Sequence, residues 1–144
     1  MPVDNLPRSP GSYSMNARIL LLLGSLLAGI GVAAGAFGAH GLSGRLSPAA
    51  LATYEKGVHY QLFHALALIA VGLLALQHPS WAIQLAGWAF LIGIGLFSGG
   101  LYAWVLSGFR PLVHIVPIGG VSFLVGWTAL AIAAWLAGGN KGIR

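Results

Sequence analysis

The sequence predicts an all-α integral membrane bundle of four transmembrane helices, with a short interfacial helix in the first loop. Three observations carry this. No Asp, Glu, Lys or Arg occurs between Gly57 and Phe109, between Ile19 and Gly44, or between Pro111 and Asn140. A water-soluble surface needs charge to stay solvated and dispersed, so runs of this kind belong in lipid. Composition agrees: of 144 residues, 58% are hydrophobic and 6% charged, against roughly 25% charged in ordinary globular chains. Finally, the few polar breaks divide the apolar sequence into pieces of membrane-crossing length.

The elements follow in order. Residues 1–16 carry Pro2, Pro7 and Pro10 among Asp, Asn, Ser and Gly, and read as a disordered Pro-rich tail. Met15-Asn16-Ala17-Arg18 resembles a natural start just before the first span. The membrane domain is expected over 17–137. Its first span, 17–39, rises about 34 Å as a helix, enough for a hydrocarbon core of about 30 Å. A rival reading makes this span a cleaved signal peptide with Arg18 in its n-region, although its apolar stretch exceeds the usual length. In the first loop, Ser47-Pro48 is N-cap chemistry with proline at the first helical position. The helix opened there either lies at the interface or runs straight into the second span, 58–76. Gln77-His78-Pro79-Ser80 forms a tight turn. The third span covers 81–106, Ser107 to Pro111 turns the chain back, and the fourth covers 112–136 before a polar tail, 138–144.

Aromatic residues are expected to mark the two interfaces, Trp81 and Trp135 at one and Tyr102 with Trp104 at the other. Four spans place both termini on one side. Arg8, Arg18, Lys141 and Arg144 on that side oppose Arg45, Lys56 and Arg110, which favours cytoplasmic termini; without the first 14 residues the comparison is a tie. The same scatter of single basic residues argues for headgroup anchors and against a nucleic-acid-binding stripe. With no cysteine, disulfide, thiolate and Fe–S chemistry are excluded.

Small residues predict the helix contacts. Gly24, Ala28, Gly31, Gly35 and Gly38 line one stripe of the first helix, and Gly95, Gly99 and Ala103 a second stripe on the third. Lipid offers no hydrophobic drive between helices, so close backbone approach at small residues holds such bundles together. Gly119-Gly120 follows Pro117, which disturbs the backbone near Val113. Gly93-Ile-Gly95-Leu-Phe-Ser98 imitates a dinucleotide fingerprint but follows no strand, and carries no such meaning.

Polar residues inside the membrane are costly and call for partners. An antiparallel bundle gathers His40, Glu55, His59, Tyr60, Gln61, His64 and His114 near one interface, with His78 opposite. Tyr60, Gln61 and His64 share a helix face through their spacings of three and four. His59 and His64 lie about 140° apart around the helix and cannot readily grip one metal. The candidate cluster is therefore His40, Glu55, Tyr60, Gln61, His64 and Pro117. Apart from Asp4, Glu55 is the only carboxylate, so no carboxylate pair exists, and neither H-E-x-x-H nor G-x-S-x-G occurs. Three readings of the cluster stand. It ties helices together by hydrogen bonds; it handles protons or a small solute, since histidine titrates near neutrality; or His40, His64 and His114 hold a metal or haem, for which no ligand spacing is diagnostic. No catalytic residue, metal site or cofactor is expected.

Four ordered motifs carry a family resemblance: Gly35-Ala-Phe-Gly-Ala-His40-Gly-Leu42, Tyr60-Gln-Leu-Phe-His64-Ala-Leu66, Phe97-Ser98-Gly99 with Leu101-Tyr102, and Pro117-Ile-Gly-Gly120-Val-Ser-Phe123 closing on Gly126-Trp127. Over residues 17–137 the chain resembles the small membrane-protein family catalogued as domain of unknown function 423, whose animal members are called transmembrane protein 256. The resemblance implies a four-span protein of the bacterial cytoplasmic membrane and no particular activity. His40, Tyr60, Gln61, His64, Ser98, Tyr102, Pro117, Gly119 and Gly120 fall on its motifs, while His59, His78 and His114 fall outside them. The leading expectation is a non-enzymatic component that packs or assembles with a membrane-protein partner or further copies of itself in the bilayer. A small proton or solute carrier is the alternative.

Overall fold

Apolar segments in lipid can satisfy their backbone only by closing its hydrogen bonds internally, and this chain does so as helix. The computed structural model describes residues 10–139, with side chains over 16–137. It contains α1 (Pro10–Phe37), α2 (Pro48–Gln77), α3 (Trp81–Gly93), α4 (Gly99–Ser107) and α5 (Val116–Gly139). A π-helical turn, Gly38–Leu42, ends α1; a second, Ile94–Ser98, joins α3 to α4; a 3-10 turn, Arg110–His114, precedes α5. Four stretches are long and apolar enough to cross a membrane: Asn16–Leu42, Pro48–Gln77, Trp81–Ser107 and Arg110–Ala137.

The helix boundaries have local causes. Ser47 Oγ accepts from the Ala50 N–H at 3.3 Å with Pro48 at the first helical position, so α2 starts where the sequence places a cap. Of the two expectations for this helix, it runs straight into the second span as one helix of 30 residues and forms no separate interfacial segment. Ser80 caps α3 in the same way through the Ile83 N–H. Gly108, at φ +70°, takes the left-handed conformation that stops α4. Helix α1 begins at Pro10, inside the segment expected to be disordered, because proline is well suited to a first helical turn. Residues 1–9 of that tail, and 140–144 of the C-terminal one, lie outside the described residues.

Two tight antiparallel hairpins build the bundle. In the first, a Cβ on Gly24 would meet Ile69 at 2.8 Å, on Gly31 Leu62 at 2.8 Å, on Gly35 Val58 at 3.4 Å and on Gly38 Tyr54 at 3.0 Å. These four contacts keep one register, so the glycine stripe of α1 lies along α2. The first span is thus an integral part of the bundle, with Ala17 and Leu20 fully buried. In the second hairpin a Cβ on Gly126 would come within 2.5 Å of the Phe90 ring, Gly93 lies against the Phe123 ring, and Gly119 against the Phe97 backbone. A seam of α3/α4 against the first hairpin joins them: a Cβ on Gly57 would meet the Tyr102 ring at 2.8 Å, and Gly87 faces Leu20 of α1 and Val71 of α2. Phe90, Leu20, Leu68 and Val71 fill the centre.

Two expectations are corrected here. Gly95 has nothing within 4 Å, and Gly99 meets only the Ile94 carbonyl, so the expected second stripe joins no helix. The π-helical turn adds a residue at that point and breaks the 3.6 period on which the stripe was read. Tyr102 does not mark an interface either, because its hydroxyl turns inward to Gln61. Trp81 and Trp135 do face outward, 62% and 83% exposed in the protein alone.

Candidate functional site

Gln61 and His64 are buried on the same face of α2, one turn apart, and each forms the centre of a small polar network. Gln61 sits opposite Gly31, whose missing side chain lets the amide approach α1. Its Nε2 donates to the Leu27 carbonyl at 2.8 Å, and its Oε1 accepts from the Tyr102 hydroxyl at 3.0 Å. The Tyr102 ring can reach it because Gly57 leaves room on α2. Tyr102 also packs on Tyr54 at 4.9 Å between centroids, and Tyr54 donates to the Ala34 carbonyl at 3.1 Å. One polar string thus ties α1, α2 and α4.

His64 completes the second network. Its Nδ1 lies 2.8 Å from the Tyr60 carbonyl, and its Nε2 lies 3.2 Å from the indole nitrogen of Trp127 on α5. Indole N–H can only donate, so Nε2 accepts and the ring proton sits on Nδ1, donated to Tyr60. Both nitrogens of a neutral imidazole are therefore occupied. The ring stacks on Phe123 at 3.5 Å and 12°, and Phe90 packs beside it at 5.6 Å. Aromatic rings from α2, α3 and α5 enclose it, and Tyr60 rests on Phe97 at 4.5 Å toward the outside.

The structure buries Gln61 and His64 one turn apart with the Tyr60 ring beside His64, in two separate networks, and does not bring in the rest of the expected cluster. His40, Glu55 and Pro117 lie at the same end of the bundle and are exposed. They belong to turns and faces directed away from the buried pair, and the bonds just described do not include them. Neither His40 nor His114 joins His64. Among the described residues, no three His, Asp or Glu side chains converge as metal ligands. Of the expected packing glycines, Gly31, Gly35 and Gly119 meet neighbouring helices, a Cβ on Gly120 would reach Phe97 only at 3.8 Å, and Gly95 and Gly99 stand apart. A cleft of about 870 Å³ lies at the opposite end between His78, Ile83, Ala133 and Leu136.

Sequence reasoning missed Tyr54, Phe123 and Trp127 as partners of the cluster. One signal was available: Trp127 falls mid-span, where an interfacial tryptophan has no reason to be.

Comparison with known proteins adds a family to this geometry. Residues 34–120 match the model of a family described as protein of unknown function (DUF423). A UPF0382 membrane protein of Staphylococcus aureus is 43% identical over 118 residues, covering 82% of this chain and 96% of that protein. One from Haemophilus influenzae is 47% identical over 105 residues, 72% of this chain and 83% of that protein. The UPF0382 membrane protein YwdK of Bacillus subtilis is 38% identical over 118 residues, 81% of this chain and 96% of its own length. No solved structure matches the chain.

Proposed function

This chain belongs to the DUF423 family of membrane proteins, and we propose that it acts without catalysis, as a small assembly component that presents a rigid bundle to a membrane-protein partner or to further copies of itself. We place it in the bacterial cytoplasmic membrane with both termini inside. One observation carries the reading: the two buried polar side chains of α2, Gln61 and His64, are each bonded to neighbouring helices. His64 uses both ring nitrogens on Tyr60 and Trp127, and Gln61 links Leu27 to Tyr102. Groups held this way fix the packing of spans and offer little to a passing solute. A carrier reading draws less support, because Glu55 and His40 lie exposed and apart from His64.

The test is cross-linking in native membranes, followed by affinity purification in mild detergent and mass spectrometry. A stoichiometric partner, or a defined oligomer of the chain itself, is the expected result. A monomer with no captured partner, together with pH- or potential-driven flux in reconstituted vesicles above empty liposomes, would overturn the proposal.

A further inference from the structure

We propose that the π-helical turn between α3 and α4 binds a single buried water molecule, held by the Ser98 hydroxyl and the Ile94 carbonyl on one side and by the Gln61 amide on the other. Ser98 is 0% exposed, and its Oγ has no hydrogen-bond partner in the protein. Other helical hydroxyls here avoid that position. Ser25, Thr53, Ser107 and Thr128 each donate to the carbonyl four residues earlier, at 2.9, 2.9, 2.5 and 2.8 Å. Ser122 crosses from α5 to the Ala89 carbonyl at 2.8 Å.

The cause of the exception is the turn itself. The carbonyl four residues before Ser98 belongs to Ile94, and in the π-helical turn it accepts the Gly99 N–H. Inserting a residue lengthens the step from hydroxyl to carbonyl, and water commonly enters a helix ladder at such interruptions. Space lies beside that carbonyl: a Cβ on Gly99 would meet only the Ile94 oxygen, at 4.0 Å.

Helix pairing supplies the third partner. The seam brings Gly57 to Leu101 and Tyr102, and Val71 to Gly87, in antiparallel register. Counting along it sets Ser98 level with Gln61. The Gln61 amide gives one N–H to Leu27 and one lone pair to Tyr102. A primary amide has a second N–H and a second lone pair to give. A water molecule needs two to four polar partners, and this level of the bundle provides a hydroxyl, a carbonyl and an amide. The ligand is neutral because, among the described residues, no charged side chain stands there; Glu55, the carboxylate of α2, is exposed. The inference is independent of whether the bundle has a partner.

The experiment combines a crystal structure from a lipid phase, at a resolution that shows ordered solvent, with thermal unfolding of Ser98→Ala and Gln61→Leu alone and together in detergent. Ser98→Cys, which keeps nearly the same volume, guards against a packing effect. A water peak within hydrogen-bond distance of Ser98 Oγ and the Gln61 amide is expected. The apparent Tm of Ser98→Ala and of Ser98→Cys should fall by a few degrees, with less than additive loss in the double variant. An orphan hydroxyl gives the opposite sign, since removing it relieves a buried polar group and raises Tm. Empty density at Ser98, or a Tm unchanged or raised in both variants, would overturn the proposal.

Discussion

The indole N–H of Trp127 meets Nε2 of His64 at 3.2 Å across the interface of α5 and α2. This contact explains two residues at once. A tryptophan in the middle of a span is satisfied without headgroups, and a histidine in lipid is satisfied without a charge. It also sets the limits of what His64 can do, since a ring with both nitrogens bonded has none left for a metal.

Gln61 should matter more than either residue it bonds. Gln61→Leu removes two bonds between spans, to Leu27 and to Tyr102, whereas Tyr102→Phe removes only the second and keeps its ring on Tyr54. Interhelical hydrogen bonds in a membrane protein average ~0.6 kcal/mol and reach ~1.7. Unfolding in mixed micelles should therefore rank Gln61→Leu as the more destabilising, by roughly one such bond.

Glycines divide into two classes. Gly119→Ala drives a methyl into the Phe97 backbone, which has nowhere to go, and should cost on the order of 1–3 kcal/mol. Gly29→Ala and Gly95→Ala meet nothing within 4 Å and should be neutral, or stabilising by up to ~1 kcal/mol through helix propensity. Unfolding of the three variants side by side checks the contrast.

Cysteine probes can read the topology cleanly, because the chain has none of its own. Ser43 and His78 are exposed at opposite ends of the bundle. With cytoplasmic termini, a membrane-impermeant maleimide should label Ser43→Cys in intact cells and His78→Cys only after the membrane is opened. The reverse pattern would invert the orientation.

The spans were legible because nothing but lipid explains runs such as Gly57 to Phe109 without charge. Ser47-Pro48 and Ser80 announced two helix starts for the same reason that they cap them. On one helix, spacing went further: Gln61 and His64 share a buried face, while the Tyr60 ring flanks His64 and turns outward. Partners on other helices were out of reach, because the register that puts Trp127 on His64 and Tyr102 on Gln61 is set by glycine contacts far apart in sequence. His40 and Glu55 were grouped with the cluster by height in the membrane alone, and their faces turn elsewhere. The π-helical turns are invisible to a period of 3.6, which is why that period lines up Gly95 and Gly99 as a contact stripe.

The most direct test of a structural polar core is a double-mutant cycle on His64→Leu and Trp127→Phe, read by reversible unfolding in mixed micelles. A coupling between ~0.6 and ~1.7 kcal/mol is expected, the range of interhelical hydrogen bonds in membranes. Losses that add within about 0.3 kcal/mol would contradict the account, since two residues that add independently share no bond.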